Sequence, residues 1–217
     1  PRVSVLAENL EIPWSIAFLP DGNILVTERP GAVKLIDKNG KQTLIIRLDD
    51  EVKHSGDAGL FGIILHPEFV KNQLIYIYYT YNQTEGLDLN RVVRFKFDGK
   101  TLTKDKVVLD GIPGALFHDG GRIKFGPDKM LYITTGDAQN PSLAQDINSL
   151  AGKILRVTDD GKPAPDNPFN TRVYSYGHRN PQGIAWDNKG KLWATEHGGK
   201  GTDELNLIEP GKNYGWP

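Results

Sequence analysis

Five glycine-bearing loops hold the residues that could do chemistry. His118 stands in Phe117-His118-Asp119-Gly120-Gly121-Arg122, where two glycines bare the backbone and leave room for a ligand. Imidazole titrates near neutrality and suits the removal of a hydroxyl proton. A loop histidine bonded only to its neighbours is the alternative. Thr135-Gly136-Asp137 ends a strand and would bring a carboxylate towards His118, fixing its tautomer and stabilising an imidazolium; an Asx turn is the other reading. Gly177-His178-Arg179-Asn180-Pro181-Gln182-Gly183 offers a cation and an amide on a rigid loop, donors suited to charge developing on an oxygen, or else ordinary loop packing. Glu196-His197-Gly198-Gly199-Lys200-Gly201-Thr202-Asp203-Glu204 combines glycine carbonyls with two carboxylates. Oxygen ligands suit Ca²⁺, although the spacing is not that of an EF-hand and a polar turn explains it equally. In His54-Ser55-Gly56-Asp57-Ala58-Gly59, Asp57 would accept a substrate hydroxyl or serve as a turn carboxylate.

A phrase repeated four times must position these loops. Trp14 to Phe18, Gly62 to Leu65, Gly121 to Phe125 and Gly183 to Trp186 each lead through a Pro, Asp or Gly turn into a second strand. The markers Phe18, Leu65, Phe125 and Trp186 recur at intervals of 47, 60 and 61 residues. A further strand pair follows each hairpin, with strands at Val33 to Asp37, Val92 to Phe97, Lys153 to Val157 and Glu204 to Ile208. About four strands per repeat is the pattern of β-propeller blades. A β-sandwich also has many short strands, but does not require one phrase four times. The expected fold is all-β, one incomplete propeller domain over 1–217 with blades near 11–56, 57–115, 116–175 and 176–217. The hairpins at Trp14, Gly62, Gly121 and Gly183 supply the inner strands. Ser142 to Leu150 holds two helical turns at most, and the prolines of Lys162 to Phe169 forbid a ladder. Val3 to Leu10 reads as a lone strand. Asp57, His118 and Arg179 all precede a blade's first strand, so they converge on one end of the channel.

Composition removes other classes. Lys and Arg total 26 against 27 Asp and Glu, so no field attracts nucleic acid or an anionic membrane. Cysteine is absent, which excludes disulfides and thiolate metal sites. No apolar run reaches the roughly 18 residues of a membrane helix. The 24 Gly and 14 Pro suit short strands and turns. An opening at Pro1 without Met is expected where a leader has been removed or the chain trimmed.

Trp14 to Pro30, Ala58 to Phe69, His118 to Arg122, Gly177 to Gly183, Asp203-Glu204-Leu205-Asn206 and Asn213-Tyr214-Gly215-Trp216-Pro217 occur here in one order. Together they resemble the soluble quinoprotein glucose and aldose sugar dehydrogenases, over essentially the whole sequence. The resemblance implies a six-bladed propeller, about four blades of it present here, binding pyrroloquinoline quinone (PQQ) and Ca²⁺. It implies that His118 is the base for the anomeric hydroxyl and that Asp137 orients it. It implies further that Arg179 and Asn180 lie beside the quinone, with Arg179 stabilising charge on its oxygen. The Gly198 and Gly199 carbonyls match ligands of the cofactor's Ca²⁺, and Asp203 and Glu204 fall at a second, structural Ca²⁺. The implied reaction oxidises an aldose to its lactone and passes electrons to an external acceptor, in a periplasmic or secreted protein. Asp57 stands where the glucose enzymes have Gln, and Gly199 where they have Pro. The family continues for about two more blades, so an open wedge and weak or no activity are expected of four. Two other readings are a Ca²⁺-dependent propeller lactonase and a non-catalytic binding propeller.

Overall fold

Asp residues shape the turns that make this chain a series of hairpins. In the computed structural model, which describes residues 3–84 and 86–217, the Asp37 carboxylate accepts the N–H groups of Asn39 and Lys41, at 2.8 and 3.0 Å. Asp187 does the same for Lys189 and Lys191. These backbone bonds stabilise the ionised form and hold the Asp187 carboxyl below its ordinary range. Asp21, Asp98 and Asp128 cap equivalent turns. A side-chain oxygen that satisfies the turn's own amides is the physical content of the repeated phrase.

Four antiparallel sheets result, each meandering outward in chain order. The first is β1 (Pro13–Phe18), β2 (Ile24–Glu28), β3 (Ala32–Ile36) and β4 (Gln42–Arg47). The second is β5 (Leu60–Leu65), β6 (Leu74–Thr84), β7 (Leu87–Phe97) and β8 (Leu102–Pro113). The third is β9 (Ile123–Phe125), β10 (Leu131–Thr135), β11 (Lys153–Val157) and β12 (Val173–Tyr176). The fourth is β13 (Pro181–Trp186), β14 (Leu192–Glu196) and β15 (Glu204–Ile208), so it has three strands where four were expected. Consecutive sheets stack face to face around an axis, with β5 against β1 and β2, β9 against β5, and β13 against β10. Among the described residues no strand of the fourth sheet pairs with the first.

The core lies between blades. One cluster joins Leu25 and Val33 of the first sheet to Ile63, Ile75 and Phe95 of the second. A second joins Tyr76, Tyr78 and Val92 to Ile133 and Leu155, and a third joins Ile154 to Ile184 and Ala194. Because both faces of a blade are covered, β6 buries Tyr76, Tyr78 and Tyr79 in succession instead of alternating. Their hydroxyls reach the Asp159 carbonyl, the Asp119 carbonyl and the Glu51 carboxylate. Near the axis Arg122 stacks 4.0 Å from the Trp14 ring and bonds Ser15 and the Gln182 carbonyl, tying three blades together.

Two further expectations need correction. Val3 to Leu10 forms no strand; its carbonyl at Glu8 accepts from the Gln42 side chain instead. The inner strand expected from Gly121 begins at Ile123, since Gly120 and Gly121 take left-handed backbone angles. Ser142–Gln145 makes a single helical turn, within the two at most that were expected, and Phe69–Asn72 makes another. The proline-rich loop forms no ladder; it carries one isolated bridge, Val157 to Pro163, and a 3-10 turn at Pro168–Asn170.

Candidate functional site

Antiparallel order brings the loop before each first strand to the same end as the loop between the second and third strands. Irregular register near the entry of β1, β5 and β13 turns those entries towards the axis. The loops carrying Asp57, His118, Asp137, Arg179 and Gly198 therefore share one end.

His118 has φ 67°, in the left-handed region, and its ring is partly exposed. Its Nδ1 lies 2.8 Å from Asp137 Oδ1, the separation expected of an orienting carboxylate. Asp137 is buried, and its Oδ1 also accepts the Gln139 N–H at 2.9 Å. Its backbone N–H bonds the Arg179 carbonyl. The close approach of the two loops depends on Gly136, where a Cβ would overlap the His118 carbonyl. Gly136→Ala is therefore expected to lower stability by about 1–3 kcal/mol. Gly190→Ala, at a positive φ but facing open space, should cost about 1 kcal/mol. Urea unfolding of both variants checks this order, and a larger loss at Gly190 would contradict it.

A cleft of about 200 Å³ holds Asp57, His118 and Asn180, with Trp14, Arg29, Asp119, Gln182 and His197 also on its walls. Asp57 is exposed at the rim, its N–H bonded to the Leu116 carbonyl. Asn180 is buried, and its Oδ1 accepts from the Gly120 N–H and Gln182 Nε2, so part of its polarity clamps the His118 loop. Asp119 is 3% exposed. Its Oδ1 accepts from Asn90 and the Ala115 N–H, while Oδ2 is buried without a partner. Burial pushes its carboxyl up to about 6 against those two bonds, and the nearby Asp88 and Asp57 add to the rise.

Arg179 faces an adjoining cleft of about 140 Å³ with Gly198, Gly199, Glu204, Tyr214 and Trp216. Its Nη1 donates to the His197 carbonyl, its guanidinium carbon lies 5.4 Å from the Trp216 ring, and its buried Nε has no partner. Asp57, His118 and Asn180 thus line one opening and Arg179, Gly198 and Gly199 another, at the same end of the blades. Trp216 links the two sets: its indole Nε1 donates to Asp137 Oδ2 at 2.8 Å. Behind Arg179, the buried His178 bonds Glu196 through Nδ1 and Ser175 through Nε2, each at 2.8 Å, and stacks on Tyr214. Glu196 also accepts the Arg179 N–H.

The proposed metal loop is only partly open. The Gly199 carbonyl accepts from Thr202 Oγ1 at 2.7 Å, and Asp203 Oδ1 accepts the Gly198 N–H at 3.1 Å. Asp203 and Glu204 are exposed, and Glu204 also bonds Asn206. Among the described residues no group of three or more acidic or histidine side chains is arranged to hold a metal. Carbonyl ligands fall outside such a group.

Sequence reasoning missed Trp216, Asp119 and Lys153. Lys153 is fully buried, its Nζ donating to the carbonyls of Leu143, Ala144 and Ala151. Burial lowers its ammonium to about 8. It fixes the loop whose Gln145 bonds Asn213 and the Trp216 carbonyl. A lysine inside a strand carries no sequence signal for this role.

The glucose/sorbosone dehydrogenase family model matches residues 10–217. The chain is 35% identical to the aldose sugar dehydrogenase of Escherichia coli, covering 100% of its own length and 62% of that protein. It is 34% identical to quinoprotein glucose dehydrogenase B of Acinetobacter calcoaceticus, over 98% of the chain and 52% of that protein. The PQQ-bound aldose sugar dehydrogenase of Streptomyces coelicolor superposes with a TM-score of 0.93 at 45% identity, over 99% of this chain and 65% of that one. The chain therefore spans little more than half the length of these curated relatives. No helix among the described residues is long and apolar enough to cross a membrane.

Proposed function

The chain belongs to the glucose/sorbosone dehydrogenase family, and from that premise we propose that it carries the proton-removing half of a quinoprotein site that oxidises an aldose at its anomeric hydroxyl to the lactone. The observation that carries this reading is the Asp137 carboxylate, bonded on one oxygen to His118 and on the other to the tryptophan that faces Arg179.

With Nδ1 committed to Asp137, His118 presents Nε2 as the base. It takes the anomeric hydroxyl proton as the C1 hydride departs, and Asp137 stabilises the resulting imidazolium. Asp57 accepts from a sugar hydroxyl at the rim. Arg179 and Asn180 would hold the cofactor, and Arg179 would answer the charge that develops there. An anionic planar group fits this side: Arg179 has an unused buried donor, and the Trp216 ring forms a wall. Bound PQQ supplies the two-electron hydride acceptor, polarised by Ca²⁺ as a Lewis acid. The oxygen-only character of the Gly198 and Gly199 carbonyls suits that Ca²⁺, each carbonyl having a second lone pair; Asp203 and Glu204 suit a further ion. Turnover would also need an external electron acceptor, and a periplasmic or secreted setting would suit it.

The visible spectrum is the direct test. Adding PQQ with Ca²⁺ should produce a protein-bound quinone band that changes on adding an aldose. A free-quinone spectrum at saturating protein would sink the proposal and favour a non-catalytic binding propeller. A propeller lactonase is less well supported, because it needs acidic side chains gathered about one metal.

A further inference from the structure

One side chain links the residues of the two clefts. Trp216 lies 79 residues from Asp137 in sequence, yet its indole N–H donates to Asp137 Oδ2 at 2.8 Å. The ring's other contacts are on the cofactor side: Arg179 sits over it at 5.4 Å, and a Cβ on Gly199 would come within 3.4 Å of it. The Trp216 backbone is held independently, its N–H by the Gly177 carbonyl at 2.9 Å and its carbonyl by Gln145 at 2.6 Å. The backbone that carries the indole is thus held independently of its bond to Asp137.

An indole nitrogen only donates, so it can pair only with an acceptor. Held on Oδ2, it stops the buried carboxylate from rotating and leaves Oδ1 facing His118 Nδ1. It also shares the carboxylate's charge, which would otherwise act on the imidazole alone. From these contacts we infer that Trp216 is a positioning residue for His118, acting through Asp137, and that it ties the orientation of the base to the wall of the cofactor cleft. The inference rests on His118 being the base proposed above.

The test is arranged so that the two readings fail separately. In protein labelled at histidine, the His118 imidazole is titrated by NMR without any cofactor. The charged and titratable groups around it are Asp137, Asp119 and Asp57, with Arg29, His197 and Arg179 beyond. Trp216→Phe keeps a ring and removes the donor. It should raise the His118 midpoint by about half a pH unit or more, because the freed carboxylate then serves the imidazolium alone. In Asp137→Asn the same substitution should produce no further shift. A Trp216→Phe titration that overlays wild type, or a shift that persists in Asp137→Asn, overturns the inference. Should Trp216→Phe fail to fold, the wild-type indole N–H resonance decides. It should move with the His118 midpoint and lose that dependence in Asp137→Asn, and an indole resonance insensitive to both overturns the inference equally. In quinone-loaded protein Trp216→Phe should lower kcat by about 10- to 100-fold while KM stays unchanged. Absence of all turnover in a protein that carries all the family's blades would remove the dehydrogenase reading and leave the titration result standing.

Discussion

Replacing His118 with alanine, in a quinone-loaded protein that carries all the family's blades, lowers kcat by about 10²- to 10⁴-fold and leaves the affinity for PQQ largely intact. The split follows from where His118 sits. It lies in the cleft with Asp57 and Asn180, and Trp216 stands between it and the Arg179 side. Its Nδ1 is used by Asp137, so the lost group is a base held ready at one nitrogen. Removing it takes away a transition-state proton acceptor and leaves the Arg179 guanidinium and the Asn180 amide in place for the cofactor. Asp137→Asn should fall in the same direction, because an amide no longer favours the productive tautomer. Steady-state kinetics with titration of the quinone band separate the two quantities. A fall in quinone affinity matching the fall in kcat would move His118 to the cofactor's side.

Arg179→Ala produces the opposite pattern: quinone affinity drops by about 10- to 100-fold, and kcat drops with it. Arg179 bonds the His197 carbonyl with Nη1 and keeps a buried Nε free of any partner among the described residues. A buried, unpaired guanidinium N–H is costly until an acceptor arrives, and a carboxylated planar ligand supplies one. The lower kcat has a second source, since the guanidinium packs over the ring that steadies Asp137. Arg179→Lys should restore little, because an ammonium neither forks nor stacks as the guanidinium does. Equilibrium titration of PQQ against each variant checks this. Unchanged affinity in Arg179→Ala would place the quinone elsewhere.

Propeller blades were legible because their turns repeat: each hairpin needs an Asp, Asn or Gly at a fixed offset, and a sequence displays offsets directly. Lys153–Val157 and Glu204–Ile208 lie where the pattern puts them. His118 and Asp137 were also legible as a pair, since both flank the inner hairpin of one blade. The missing fourth strand of the last sheet and the irregular Val3 to Leu10 were not. Strand propensity describes a residue's fit to a pleated surface, and pairing depends on whether a neighbouring edge exists. Trp216 escaped notice for a different reason. An indole near an Asn-Tyr-Gly turn reads as packing, and its partner is 79 residues away. The same applies to Asp119, whose burial within the His118 loop no feature of the sequence announces.

Thermal selection would act against this site. A histidine at φ 67° pays a steric penalty of about 1–2 kcal/mol that glycine does not. Its neighbour Asp119 adds to the burden. A carboxyl raised to about 6 contributes its full stability only below the ordinary carboxylate range, and loses it as pH rises through 6. At neutral pH the loss is roughly 2–3 kcal/mol. A library screened for heat resistance alone at pH 7 should therefore enrich glycine at 118 and asparagine at 119, discarding the base and its buried neighbour first. Screening the same library at pH 4 should leave Asp119 in place. Only a screen that also demands turnover holds His118, so any lineage keeping that base is one in which the uncompensated strain has been worth its thermal disadvantage.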